Sequence, residues 1–251
     1  MPNPHNMFNN TAPEVETKPI VNSTTLSIAK VLLYMFVGLL ITTAVAFGAG
    51  YAVYASYKNV GESALETYLI VLLVSVIALL IDSFVIHFMA AKGKHSILIP
   101  GVLYCILMGT TLSFLTLFIP WSLLGITLGI TSLAFLLMSL ISFLTKGSMN
   151  GILVGIIGLA IGVGLLSLFL WIFGLVTGTV LEPLYWAIIL GAFVLVMLIT
   201  IYDLWRVKKI AEQGAMNSNI ALYCAFIIYT DFINLFLRIL YFVLLIFGRR
   251  R

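Results

Sequence analysis

The sequence predicts an all-α integral membrane protein, a bundle of seven transmembrane helices, and three observations carry that expectation. Of its 251 residues, 62% are hydrophobic and only 9% charged, with a mean hydropathy of +1.18. So few charges cannot cover the surface of a water-soluble domain of this size, so lipid must be the solvent for most of the chain. Long apolar windows recur, each near the roughly 20 residues a helix needs to cross a hydrocarbon core about 30 Å thick. The alternating segments of about 10 residues that a membrane β-barrel requires do not occur.

The windows are Ala29–Tyr54, Tyr68–Met89, Ile97–Ile119, Ser122–Thr145, Gly151–Val176, Leu184–Tyr202 and Asn219–Phe247. Ahead of them, residues 1–26 are rich in Pro, Asn, Thr and Glu and read as a disordered tail. The tail lacks the basic start and apolar stretch of a cleavable signal peptide. Residues 27–251 read as a single seven-helix transmembrane domain, because short connections leave consecutive helices antiparallel neighbours. Gly125/Gly129, Gly151/Gly155 and Gly158/Gly162 are spaced as small-xxx-small pairs, the pattern by which helices approach closely in lipid. Pro100 beside Gly101 marks an expected kink in the third helix, and Pro120 and Pro183 mark the starts of the fourth and sixth. The polar stretch from Asp203 to Ser218 is expected to prolong the sixth helix beyond the membrane.

The formal net charge of +4 does not indicate nucleic acid as a partner, because the basic residues sit at helix ends. One side of a seven-span chain collects Lys18, Lys30, Lys92, Lys94, Lys146, Arg206, Lys208 and Lys209; the other has Lys58 against Glu62, Glu66 and Glu182. The positive-inside rule then puts the N-terminus in the cytoplasm. Arg249, Arg250 and Arg251 oppose it, since seven spans leave them outside. Two readings stay open: the earlier helices overrule them, or the last segment is re-entrant. Cys105 and Cys224 fall within apolar windows and read as buried, inert thiols.

Ionisable residues inside spans carry the functional argument. A charge at the centre of a lipid-embedded helix costs about 2.5–3.5 kcal/mol on insertion scales, so each one needs a partner or a function. Asp82, His87, Asp203, Asp231 and Arg238 are such residues. Asp231, Asn234 and Arg238 follow i, i+3, i+7 spacing on one helix face, which is expected to look inward. Asp203 ends the sixth span and Asp231 lies in the antiparallel seventh, so the two carboxylates can meet. Like charges that close in a low dielectric do not both ionise cheaply; the pair shares a proton and responds to pH. Its oxygens attract a hard cation such as Ca²⁺, yet two carboxylates are too few for a closed cage. Weak attraction suits a path an ion must also leave.

"IYDLWRVKKI" followed by "YTDFINLFLRIL" resembles the signature of the Bax inhibitor-1 family, also called the transmembrane BAX inhibitor motif family. "YMFVGLLITTAVAF" in the first span and "LMGTTLS" in the third add to the resemblance, which runs from Ala29 to the end of the seventh span. It implies a seven-helix fold and a pH-sensitive Ca²⁺ leak governed by an aspartate pair, here Asp203 and Asp231. It also implies a basic residue near the cytoplasmic end of the second helix that locks one aspartate when the path is closed. "MAAKGKH" offers Lys92 or Lys94 for that role, and a second-helix acid matching Asp82 allows an Asp82–Arg238 pair.

Other classes fit less of the chain. An intramembrane aspartyl protease would share "IYD", but its Gly-x-Gly-Asp half is absent from "IYTDF". No Gly-x-Ser-x-Gly elbow and no His-Glu-x-x-His zinc helix occurs, so no enzyme activity is expected. A proton-coupled transporter would use the same pair but calls for inverted repeats or broken helices. A non-conducting regulatory protein acting on protease or cell-death machinery is the third alternative. The reading adopted is a pH-sensitive calcium leak channel with no cofactor, whose partners are membrane lipid, calcium and protons. Asp203 and Asp231 are its ion pathway, pH sensor and weak calcium site, with Asn234, Arg238, Asp82, Lys92 and Lys94 supporting or gating. A bacterial plasma membrane is favoured over the endoplasmic reticulum.

Overall fold

The computed structural model describes residues 20–92, 96–179 and 181–248. The chain folds into seven helices and, among these residues, no strand: α1 Ile20–Val60, α2 Glu62–Lys92, α3 Leu98–Phe118, α4 Trp121–Leu144, α5 Asn150–Thr177, α6 Glu182–Glu212 and α7 Ser218–Gly248. All seven are long and apolar enough to cross a membrane. Residues 20–26, expected within the tail, are already helical. The last segment is one unbroken helix of 31 residues, about 46 Å at 1.5 Å per residue, so it crosses rather than re-enters. Lys18, Lys94 and Arg249–Arg251 lie outside the described residues.

Local chemistry explains the boundaries. Pro183 occupies the first turn of α6 and Pro120 stands immediately before α4, positions where a missing N–H costs no helical hydrogen bond. Pro100 also lies in a first turn, that of α3, and therefore starts the helix instead of kinking it. α5 stops at Gly178, whose φ of 67° is left-handed backbone that a side chain disfavours. α6 continues nine residues past Asp203, so most of the expected cytoplasmic extension is helix.

α7 is the centre of the bundle and packs against α1, α2, α3, α4 and α6. α5 packs chiefly on α6 and leaves most of its apolar surface exposed. Many large apolar side chains, Phe84 and Ile99 among them, are exposed on the bundle, as a hydrocarbon solvent allows. Close helix contact does not occur at the expected glycine pairs: around Gly125, Gly129, Gly151, Gly155, Gly158 and Gly162 a methyl group would meet open space. The crossing of α1 with α3 uses others. A Cβ on Gly109 would sit 2.6 Å from the Thr42 carbonyl oxygen, and one on Gly38 would sit 3.2 Å from Cys105 Sγ.

Polar struts complete the packing. Ser142 donates to the Ile201 carbonyl at 2.7 Å, and the Lys208 ammonium donates to the carbonyls of Phe143 (2.7 Å) and Thr145 (2.9 Å). These carbonyls end α4, where a helix has no partners of its own and favours a cation. α4 and α6 are thereby clamped beside the segment that carries Asp203.

Candidate functional site

The site is built where α6 and α7 run antiparallel near the basic end of the bundle. Asp203 and Asp231 face each other across this interface within hydrogen-bonding reach. Asp231 is 8% exposed, and Asp203 is half-buried. One oxygen of Asp231 is buried with no hydrogen-bond partner among the described residues. Buried polar atoms are rarely left so, because each forgoes about 1–3 kcal/mol of hydration. Two acids thus face each other in a low dielectric with spare acceptor capacity, an arrangement suited to a shared proton or a passing cation rather than to packing.

One turn toward the basic end, the same interface carries a second couple. The Arg206 guanidinium lies within electrostatic reach of Asp203 and of Cys224. Asp203 and Arg206 share a face of α6 at i, i+3, and Cys224 and Asp231 share a face of α7 at i, i+7. The exposed arginine therefore stands nearer the basic end, and the acids lie deeper in the bundle. Read from sequence, Arg206 is only one of the basic residues at helix ends; its i, i+3 spacing from Asp203 was the available signal.

Lys92 is placed elsewhere. Its ammonium sits over the Phe88 ring at 4.1 Å, on its own helix. Lys94 lies outside the described residues. Among the described residues the ion pairs are Lys208–Glu212 and Lys209–Glu212, so neither aspartate of the pair is salt-bridged.

Asn234 and Arg238 do not look inward with Asp231; both are exposed. At about 100° per residue they lie roughly 60° and 20° round from Asp231, on the side away from the buried arc that runs through Leu235, Ile239 and Phe232. Asp231 stands at the edge of that arc, so a small rotation separates an interior acid from an outward amide and guanidinium. Arg238 is also about 10 Å farther along the axis.

Asp82 is buried, at 6% exposed, and has one unpartnered oxygen. It does not pair with Arg238. Its carboxylate lies within electrostatic reach of Tyr104 and Cys105 on α3, and Tyr104 is in hydrogen-bonding reach of Thr230, the residue before Asp231. His87, one turn nearer the basic end, packs edge-on to Tyr223 and Phe226 at 5.8 Å each. Cys105 and Cys224 are both buried and unbridged. No cluster of three or more metal-ligating side chains occurs among the described residues.

Residues 24–250 match the family described as "Inhibitor of apoptosis-promoting Bax1". The inner membrane protein YbhL of Escherichia coli, in strains K12 and O6:H1, is 31% identical over 229 residues, which is 89% of this chain and 91% of that protein. No solved structure matches. The match spans all seven helices and includes both helices that carry the aspartates, and the chain belongs to the Bax inhibitor-1 family of membrane proteins.

Proposed function

We propose that the protein is a pH-sensitive calcium leak channel in which Asp203 and Asp231 form the ion path and the proton switch. The observation that carries the reading is the meeting of these two carboxyl groups inside a membrane bundle, one oxygen of Asp231 buried and unpartnered. Two such groups attract a hard cation without enclosing it, which lets the ion depart. They share a proton instead of carrying two full charges, so their attraction for a cation depends on pH.

Arg206 takes the gating role. Its charge lies beside Asp203 on the same helix, and that attraction favours the ionised acid and the closed path. Protonation weakens that hold and favours opening at acidic pH. This assignment replaces Lys92, whose ammonium is engaged by Phe88. The basic end of the bundle, with Lys30, Lys92, Lys146, Lys208 and Lys209, faces the cytoplasm under the positive-inside rule. A bacterial plasma membrane is the proposed location, supported by the name of the E. coli relative.

Purified protein in liposomes loaded with a calcium indicator tests the reading. Flux is expected to rise from pH 8 to pH 6 and to fall in Asp231→Asn. Equal flux at both pH values, or flux indifferent to Asp231→Asn, overturns it. Saturable uptake of another solute coupled to protons would instead identify a transporter.

A further inference from the structure

α1 and α4 are not packed helix on helix. They are bridged toward the end opposite the basic one by a stack of Phe47 on Trp121, with ring centroids 4.6 Å apart. Between them lies a groove of about 670 Å³, floored by Leu112 and Leu115 of α3 and by Phe232 and Phe236 of α7. It follows α1 from Leu32 to Phe47, about 22 Å at 1.5 Å per residue. That exceeds half the roughly 30 Å hydrocarbon thickness, the depth reached by one leaflet's chains.

We propose that this groove binds one acyl chain of a bilayer phospholipid. Three observations commit it to that occupant. First, apart from Ser132, the hydroxyls in the wall are already used: Thr42 donates to the Cys105 carbonyl (3.1 Å), Thr43 to Leu39 (2.7 Å), Thr116 to Ser113 (2.7 Å) and Ser139 to Phe135 (2.9 Å). No charged side chain lines the groove, and the single Ser132 hydroxyl is too little to select a polar ligand or to hold water. Second, its rims are continuous with the lipid-facing surface, since Phe36 is 57% and Leu136 60% exposed. The bilayer itself therefore covers the opening. Third, the volume lies within the roughly 300–1,000 Å³ of apolar ligand sites, whereas packed interiors leave few voids larger than a water molecule.

The floor residue Phe232 directly follows Asp231 along α7, so an occupying chain supports α7 on the side turned from α6. The binding proposal does not rest on the calcium reading and is tested without measuring flux.

Full-length protein is placed in nanodiscs of phosphatidylethanolamine and phosphatidylglycerol and released intact into a mass spectrometer. Wild type is expected to retain one phospholipid. Gly125→Trp fills the groove from a position where a side chain meets open space, and should lower the retained fraction about tenfold. Ser132→Phe, also in the wall, should do the same, which guards against a folding defect peculiar to the first variant. Ile130→Trp, on the opposite face of α4, should leave retention unchanged; circular dichroism checks that all variants keep their helices. Retention equal in wild type and both filled variants, equal loss in Ile130→Trp, or no retained phospholipid in wild type overturns the proposal.

Discussion

Thr42 of α1 and Tyr229 of α7 bring their hydroxyl oxygens to 2.6 Å inside the bundle, and Thr42 also donates to the Cys105 carbonyl of α3. Three helices are thus joined at a point two residues from Asp231. Hydrogen bonds between membrane helices contribute about 0.6 kcal/mol on average and up to roughly 1.7. Tyr229→Phe should therefore lower stability by about 1 kcal/mol in detergent, and Thr42→Val by at least as much, because it also removes the bond to the Cys105 carbonyl. Chemical unfolding followed by circular dichroism checks both, and no change in either would remove this junction as a support of the site.

The carboxylate pair predicts a sharper result for flux. Asp203→Asn and Asp231→Asn should each reduce calcium flux at pH 6 about tenfold, the effect of roughly 1.4 kcal/mol on a barrier. Each should also flatten the dependence on pH, since one titrating acid lacks the coupling of two. Fluorescence recordings from liposomes across pH 5.5–8.5 measure both. A single variant that kept the wild-type profile would show that its acid is outside the path.

The placement of the two candidate cations gives opposite expectations for them. Arg206→Gln removes a positive charge beside Asp203, so the pair takes up its proton more readily and half-maximal flux should move to higher pH. Arg206 is exposed, so solvent and salt screen the effect. Lys92→Gln, with its charge spent on Phe88, should leave the midpoint in place. The reverse pattern would restore the lysine to the gating role.

Glycine substitutions separate packing from mere spacing. At Gly109 a new Cβ meets the Thr42 carbonyl at 2.6 Å and Val45 Cβ at 2.7 Å, and backbone cannot swing aside. Gly109→Ala should cost about 1–3 kcal/mol through overpacking. Gly158→Ala meets nothing within 4 Å and should be neutral or stabilising by up to about 1 kcal/mol, from helix propensity alone. Thermal unfolding of the two variants side by side gives the comparison.

How much could be read without coordinates depended on whether a property is local. Hydropathy and helix length belong to each segment, and the free energy of moving a residue into hydrocarbon adds along the chain. Composition therefore determined the membrane class, the number of spans and their approximate limits. The costly residues Asp82, Asp203 and Asp231 stood out for the same reason. Periodicity placed Asn234 and Arg238 near Asp231 but did not say how far α7 is rotated, and about 20–60° proved enough to turn both outward. Glycine spacing likewise could not say which stripes have a neighbour: α5 presents Gly151, Gly155, Gly158 and Gly162 to open space, while Gly109 of α3 meets the backbone of α1. That Lys92 stands apart from the acids, and that α1 and α4 part to leave a groove, was decided only by tertiary packing. Helix rotation and separation come from the fit of many side chains at once, and no single segment contains that information.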